Sequence, residues 1–523
     1  MTRKYDSGTS LSQKILEGAN ILADNVASTL GPKGRNVILQ AQGHNPIITK
    51  DGVTVAKFVE LDDPMQNAGA EIIKQASIET NNVAGDGTTT ATVLARALLV
   101  RAQAYLTAGA SPVELKRGMD KGLEQMLQKI DDLSRPIASA SDIEHVATIS
   151  ANGDLTIGKL VAMAVDSVGK DGAITVEEAR ALETSLDIAE GFQVESGYLS
   201  PSFITDERRG TVNYERAYLL VADGTISAVE EMLPVLEVVA REARPLVIVA
   251  EDVEGQALAA LIMNSMRGSL KVAAIKAPRY GEERRNVLRD LALTTGATFI
   301  TRENDIRLQD VKLEHLGQCN GVEITKSHTT IVGGNNDYEN VERRIEQLKA
   351  EFENTESIYE CERIQDRITR LASGIAIIRV GASTEVEMIE KKHRIEDALE
   401  AVRSARLEGI VPGGGMALIR CAQQLNVTTD NDEQALGVEL LRKAVCEPLR
   451  QMAINAGKSP DIIQSAAEAM ELSNGYNFAT GEECDMIQAG IIDPAKVTKC
   501  ALRNAVSVAS TLITTNYAII QTK

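Results

Sequence analysis

Four glycine-containing segments of this chain are built to meet a charged ligand: Leu30-Gly-Pro-Lys-Gly-Arg-Asn36, Thr49-Lys-Asp-Gly-Val53, Ala84-Gly-Asp-Gly-Thr-Thr-Thr-Ala-Thr92 and Val411-Pro-Gly-Gly-Gly-Met416. Glycine lets backbone come close to a ligand and aim N–H groups at it. The segments containing Asp86 and Gly414 each lead into a predicted helix, and a helix N-terminus offers free N–H groups and the positive end of a dipole. In the third segment those donors are joined by the hydroxyls of Thr88, Thr89 and Thr90. Asp86 in their midst would repel a phosphate unless a cation stood between them, so the pattern suggests a nucleotide with Mg²⁺. A helix cap with a threonine-rich first turn is the alternative reading.

Neither common nucleotide signature is present. Gly457-Lys458-Ser459 ends like a P-loop, but Met452 stands where its first glycine belongs, and no GxGxxG occurs. If the four segments form one site, the two ends of the chain share a domain and the middle is an insertion.

The elements that must position these segments change along the chain. Apolar Ile15, Leu16, Ala19, Leu22, Val26 and Leu30 recur at helical spacing, predicting a helix over Ser10–Leu30, and another follows Gly85–Thr92. From about Leu407 the chain is again mostly helical. In the middle, short apolar runs predict strands at Tyr218–Ala222, Leu246–Ala250, Val272–Ile275 and Thr298–Thr301. Helical segments at Pro234–Ala243, Gln256–Met266 and Glu283–Leu293 lie between them, the alternation of an α/β layer with a parallel sheet. The charge-dense stretch Glu339–Ala372 predicts a helical hairpin, or a short coiled coil. In Arg394–Val402 the spacing buries Ile395, Ala398, Leu399 and Val402, and Asp397 reads as a solvated charge.

Composition bounds the function. At 523 residues the chain needs several domains, and 44% apolar with 25% charged residues is an ordinary globular balance. A net charge of −19 without a long Lys/Arg run argues against nucleic-acid binding and against docking on an anionic membrane. No apolar run is long enough to span a bilayer, and Met1–Ile15 has no signal-peptide core, so a cytoplasmic protein is expected. The six cysteines form no CxxC pair and the five histidines, His44 among them, are scattered; reduced thiols and no structural metal are expected.

In this order and at these spacings, the segments resemble the group I chaperonins, the GroEL-like family. Leu30–Asn36, Thr49–Ala56, Ala84–Leu94, Ile149–Asn152, Gly197–Pro201, Met232–Leu236, Ala250–Gly255, Glu385–Glu387, Ile395–Leu399 and Gly413–Gly415 are similar to family motifs, over about Ser10–Thr515. The resemblance implies a multidomain α and α/β fold. Residues 1–132 and 408–523 would form a helical equatorial ATP-binding domain, 133–189 and 375–407 a hinge domain, and 190–374 an α/β apical domain. It implies an ATPase chaperone working in rings of seven, single or double, on non-native client proteins, with a possible lid co-chaperonin. By similarity Thr29, Leu30, Gly31, Pro32, Lys50, Asp86, Gly87, Thr88, Thr89 and Thr90 hold phosphates, with Mg²⁺ on Asp86 and K⁺ nearby. Gly414, Asn477, Ile491 and Asp493 would frame adenosine, and Asp397, assisted by Asp51, would direct the attacking water. An ordinary aspartate, with a pKa near ~3.9, is a weak base and chiefly orients that water. Tyr198, Phe203, Leu233, Leu236, Leu258, Ile262 and Met263 would line the client groove, where ordinary core packing is the alternative.

The chain departs from the family at several places: Ser202 for an aromatic, Ser196 for an arginine, Lys458-Ser459 for an acidic pair, Ala104 for a lysine, and Phe478 for a small residue near the adenine. These departures leave a ring-forming binding protein without a folding cycle as a second reading. A small-molecule kinase is a third.

Overall fold

The computed structural model describes residues 2–41, 46–169, 173–179, 181–301, 306–334, 338–353, 355, 357–372 and 374–522. His44 lies outside them. The chain divides into two compact units, Met1–Ala162 with Ala382–Lys523, and Met163–Gly381.

The first unit is a stack of long helices. Gly8–Ala27, Pro64–Ala84, Thr88–Thr107, Pro112–Leu133 and Ala495–Ile513 pack on one another. Their shared core includes Leu11, Leu22, Ile73, Leu94, Leu115, Met119, Leu441 and Leu502, all almost fully buried. The N-terminal helix is shorter than its apolar spacing predicts, stopping at Ala27, because the chain then turns at Gly31 with φ +79°. Leu30 therefore sits in the turn, whose carbonyls at Ala27 and Leu30 accept from the Asn455 amide at 2.9 Å each. Small two-stranded pieces pin the helices. Ile410–Pro412 pairs with Ile492–Pro494, placing Val411 opposite Asp493, and Thr2–Ser7 pairs with Tyr517–Thr522. Stretches from opposite ends of the chain thus share one core.

The second unit is an α/β layer. Tyr218–Val221, Leu246–Ala250 and Val272–Lys276 are parallel neighbours, buried on both faces, which is why they read as unbroken apolar runs. Among the described residues the sheet has nine strands and is mixed: Gly317–Ile324, Thr329–Gly334 and Ser185–Val194 continue it with antiparallel pairings. The expected strand at Thr298–Thr301 is reduced to a single bridge, Ala222 to Ile300. Ile300 donates to Val221 and accepts from Asp223, the one rung formed here among the described residues. Helices Leu233–Glu242, Gly255–Met266 and Gly281–Thr295 fall within a few residues of their predicted places. Tyr338–Glu353 and Ile358–Ala372 form the helical hairpin, which packs on the Gly281–Thr295 helix. Buried Asp290 anchors it by accepting two 2.8 Å bonds from the Arg367 guanidinium.

Candidate functional site: a glycine-lined cavity in the first unit

The four glycine segments meet. A cavity of ≈430 Å³ in the first unit is lined by Thr29, Leu30, Gly31, Pro32, Lys50, Asp51, Asp86, Gly87, Thr88, Thr89, Thr90, Asp397, Gly414, Asn477, Ile491 and Asp493. Every residue that the sequence proposes for nucleotide binding or catalysis is on that wall.

Local chemistry explains each placement. Gly87 precedes the Thr88–Thr107 helix with φ +81°, a conformation that favours glycine, and no side chain caps the helix there. Its first N–H groups are left for a ligand. Asp51 starts the Gly52–Phe58 helix, its carboxylate accepting from the Val53 and Thr54 amides at 3.1 Å each. Between these helix starts the backbone runs so close that a methyl group on Gly52 would lie 2.3 Å from the Thr89 hydroxyl and 2.9 Å from that of Thr88. The Thr89 and Thr29 hydroxyls are 3.4 Å apart, tying the first segment to the third. Gly413 donates to the Ile491 carbonyl at 2.9 Å, which brings the fourth segment alongside Asp493.

The electrostatics demand counter-charge. Burial pushes the Asp86 carboxyl above the usual carboxylate range, and the charge of Asp51 adds to it. Hydrogen bonds from the Gly87 amide and the Ser150 hydroxyl work the other way. Burial, reinforced by the charge of Asp86, pushes Asp493 up to about 7. Lys50 is lowered, chiefly by burial. Among the described residues no group of three or more His, Cys, Asp or Glu side chains is arranged to hold a metal ion unaided. That donor set fits Mg²⁺ in its usual mode, held by one or two carboxylates with the remaining ligands from phosphate and water.

Asp397 is not the solvated charge that its helix pattern suggests. The Glu385–Glu408 helix buries Ile395, Ala398, Ala401 and Val402, while Asp397, half-buried on the adjoining face, lines the cavity. The helix is held there by the Ser404 hydroxyl, which donates to the Ala84 carbonyl at 3.0 Å.

Other lining residues were not proposed as site residues from the sequence: Glu390, Arg394, Tyr476 and Met452, with Ser150 and Asn152 of the family-like stretch Ile149–Asn152. Phe478, at the position of a small family residue, is part of the wall, buried and edge-on to Tyr476 with ring centroids 5.0 Å apart.

The proposed client residues, in the second unit, divide. Leu233 and Met263 are about half exposed, and Tyr198, Leu258 and Ile262 are partly buried. Phe203 and Leu236 are core residues, 1% and 7% exposed, so they support the surface from beneath. The Val229–Glu231 turn touches both helices that carry this set, and the Pro201–Phe203 turn packs on the second of them. All six cysteines are free, with Cys319, Cys421, Cys446 and Cys500 buried. No helix among the described residues is long and apolar enough to cross a membrane.

The fold is of the chaperonin type, as comparison with solved structures shows. Two solved structures of the chaperonin gp146 from the bacteriophage EL 2 (Pseudomonas aeruginosa), both in the presence of ATP-BeFx, match 99% of this chain and 99% of their own. Their TM-scores are 0.65 and 0.62 at 21% identity. The model of the TCP-1/cpn60 chaperonin family matches residues 22–523, so the chain belongs to that family, and a chaperone role comes with membership.

Proposed function

We propose that this protein is a subunit of a ring-forming, ATP-dependent chaperone of the cytoplasm, which binds non-native proteins and promotes their folding through cycles of ATP hydrolysis. The observation that carries the proposal is the convergence of Thr29–Pro32, Lys50–Asp51, Asp86–Thr90, Gly414, Asn477, Ile491, Asp493 and Asp397 on one cavity.

The Thr88–Thr90 amides and hydroxyls, with Lys50 and the Gly31 turn, hold the phosphates. Gly414, Asn477 and Ile491 frame the nucleoside, with Asp493 beside them. Mg²⁺ at Asp86, with K⁺ nearby, would neutralise charge on the phosphates and offset the acids around them. Asp397 orients the attacking water, and Asp51, fixed by the helix that it caps, assists. Residues 1–132 with 408–523 serve as the equatorial domain, 133–189 with 375–407 as the hinge, and 190–374 as the apical domain. Seven subunits close a ring, a lid co-chaperonin is a candidate partner, and clients bind the apolar surface around Leu233 and Met263.

The test is ATP turnover by the assembled protein beside Asp397→Ala, with ATP binding and refolding of an aggregating client measured on both. Turnover is expected to fall about a hundredfold or more in the variant, with binding retained and refolding lost. A wild type without turnover, or an equally fast variant, would sink the proposal.

A further inference from the structure

The Ala140–Ser150 helix and the turn after it carry no residue of the proposed machinery, yet they meet that machinery or its supports at three points. At its end, the Ser150 hydroxyl donates to Asp86 Oδ2 at 2.9 Å, while the Gly87 amide donates to Oδ1 at 2.5 Å. Farther back, His145 lies on Gly490, where a methyl group would sit 2.6 Å from the imidazole, so the helix presses on the loop that leads to Asp493. Just past its end, Asp154 pairs with Arg394 at 2.9 Å, and Arg394 with Glu390 at 2.8 Å, on the helix that bears Asp397. The turn between runs through Asn152 and Gly153, both with positive φ, and fixes the spacing of Ser150 and Asp154.

A serine hydroxyl in a helix commonly returns to a carbonyl of its own helix, as Ser167 does to Met163 and Ala164. Ser150 instead crosses to a carboxylate on another element. A hydroxyl donor fixes the plane of a carboxylate and leaves its remaining lone pairs for a cation. Such supporting groups tune metal affinity as well as geometry.

We propose that Ser150 is a positioning residue for cation binding: its hydroxyl orients the Asp86 carboxylate toward Mg²⁺ and joins the cation site to the helix that bears Asp397. This rests on the reading of the cavity as a Mg²⁺–ATP site. Through Ser150 and Asp154, one short turn is bonded both to the carboxylate under the phosphates and to the helix that supplies the water-directing group, so placing one places the other.

The test is binding of Mn²⁺, followed by its electron paramagnetic resonance, to the ATP-loaded full-length protein, in wild type, Ser150→Ala and Ser150→Cys. Cysteine is nearly isosteric and a weak donor, so it serves if the alanine variant does not fold. Both variants are expected to bind Mn²⁺ about tenfold more weakly, to bind ATP unchanged without metal, and to regain turnover at high Mg²⁺. Asp397→Ala should leave Mn²⁺ affinity at the wild-type value. Variants that bind Mn²⁺ within about twofold of wild type would overturn the role of Ser150 alone. A wild type that binds no Mn²⁺ with ATP would overturn the nucleotide-site reading itself.

Discussion

The cavity of the first unit and the apolar surface of the second each hold side chains in surroundings that oppose their nature. Around the cavity, Asp86 and Asp493 are withdrawn from water far enough to lift both carboxyls above their ordinary range. On the second unit, Leu233 and Met263 stand about half exposed, and Met266 is 70% exposed. Acids in a poorly solvated pocket favour cations and a polyanion that brings them. Apolar groups in water favour another apolar chain. The support differs as well: the cavity is held by close backbone approaches and short polar bonds, the apolar surface by side-chain packing on the sheet. A cavity of the first kind tolerates little change of shape, whereas a surface of flexible methionines and leucines adapts to many partners.

Three variants sharpen that contrast. Phe203→Ala should give the largest effect, a loss of about 3–5 kcal/mol in stability of the second unit, since a fully buried ring leaves a hole beneath the surface. Denaturant unfolding checks it. A loss below about 1 kcal/mol would mean that Phe203 belongs to the surface after all.

Gly52→Ala comes next. Its methyl must displace the Thr88 and Thr89 hydroxyls, and ATP affinity should fall about tenfold, about 1.4 kcal/mol, by calorimetry. Unaltered affinity would show that the two hydroxyls do not touch the nucleotide.

The smallest expected change in stability is that of Leu233→Ser with Met263→Ser, within about 0.5 kcal/mol because both side chains already meet solvent. The same pair should capture a denatured client several-fold less well in a light-scattering assay. Full capture would move the client surface elsewhere.

How much of this was legible beforehand follows from the same contrast. Gly87, Gly414 and the threonines stand out by residue type, as a phosphate cradle or as a helix cap with a threonine-rich first turn, and they do line one cavity. Exposure of an apolar side chain is not written so. Leu233 and Leu236 share a spacing and a chemistry, yet one faces solvent and the other the core. Asp397 looked solvated because a single helix pattern shows which face is buried but not what the next face meets. Ser150 falls in the family-like stretch Ile149–Asn152, but its bond to Asp86 gave no signal, since a serine near a helix end is commonplace and its partner lies 64 residues away. The mixed sheet was hidden because register and direction are set between distant strands, whereas the parallel strands buried on both faces read plainly as apolar runs.

The pairing of Val411 with Asp493, and the packing of the Thr88–Thr107 helix against Ala495–Ile513, also bear on how the protein is made. A ribosome extends the chain at about 5–20 residues per second, so some 400 residues and about 20–80 seconds separate the threonine cradle from its partners. Residues 163–381, wholly emerged in that interval, can fold first, while the N-terminal helices wait with their apolar faces uncovered. A newborn chain therefore passes through a stage in which it is itself non-native and in need of shelter, and the cavity cannot be complete until nearly the last helix has left the exit tunnel.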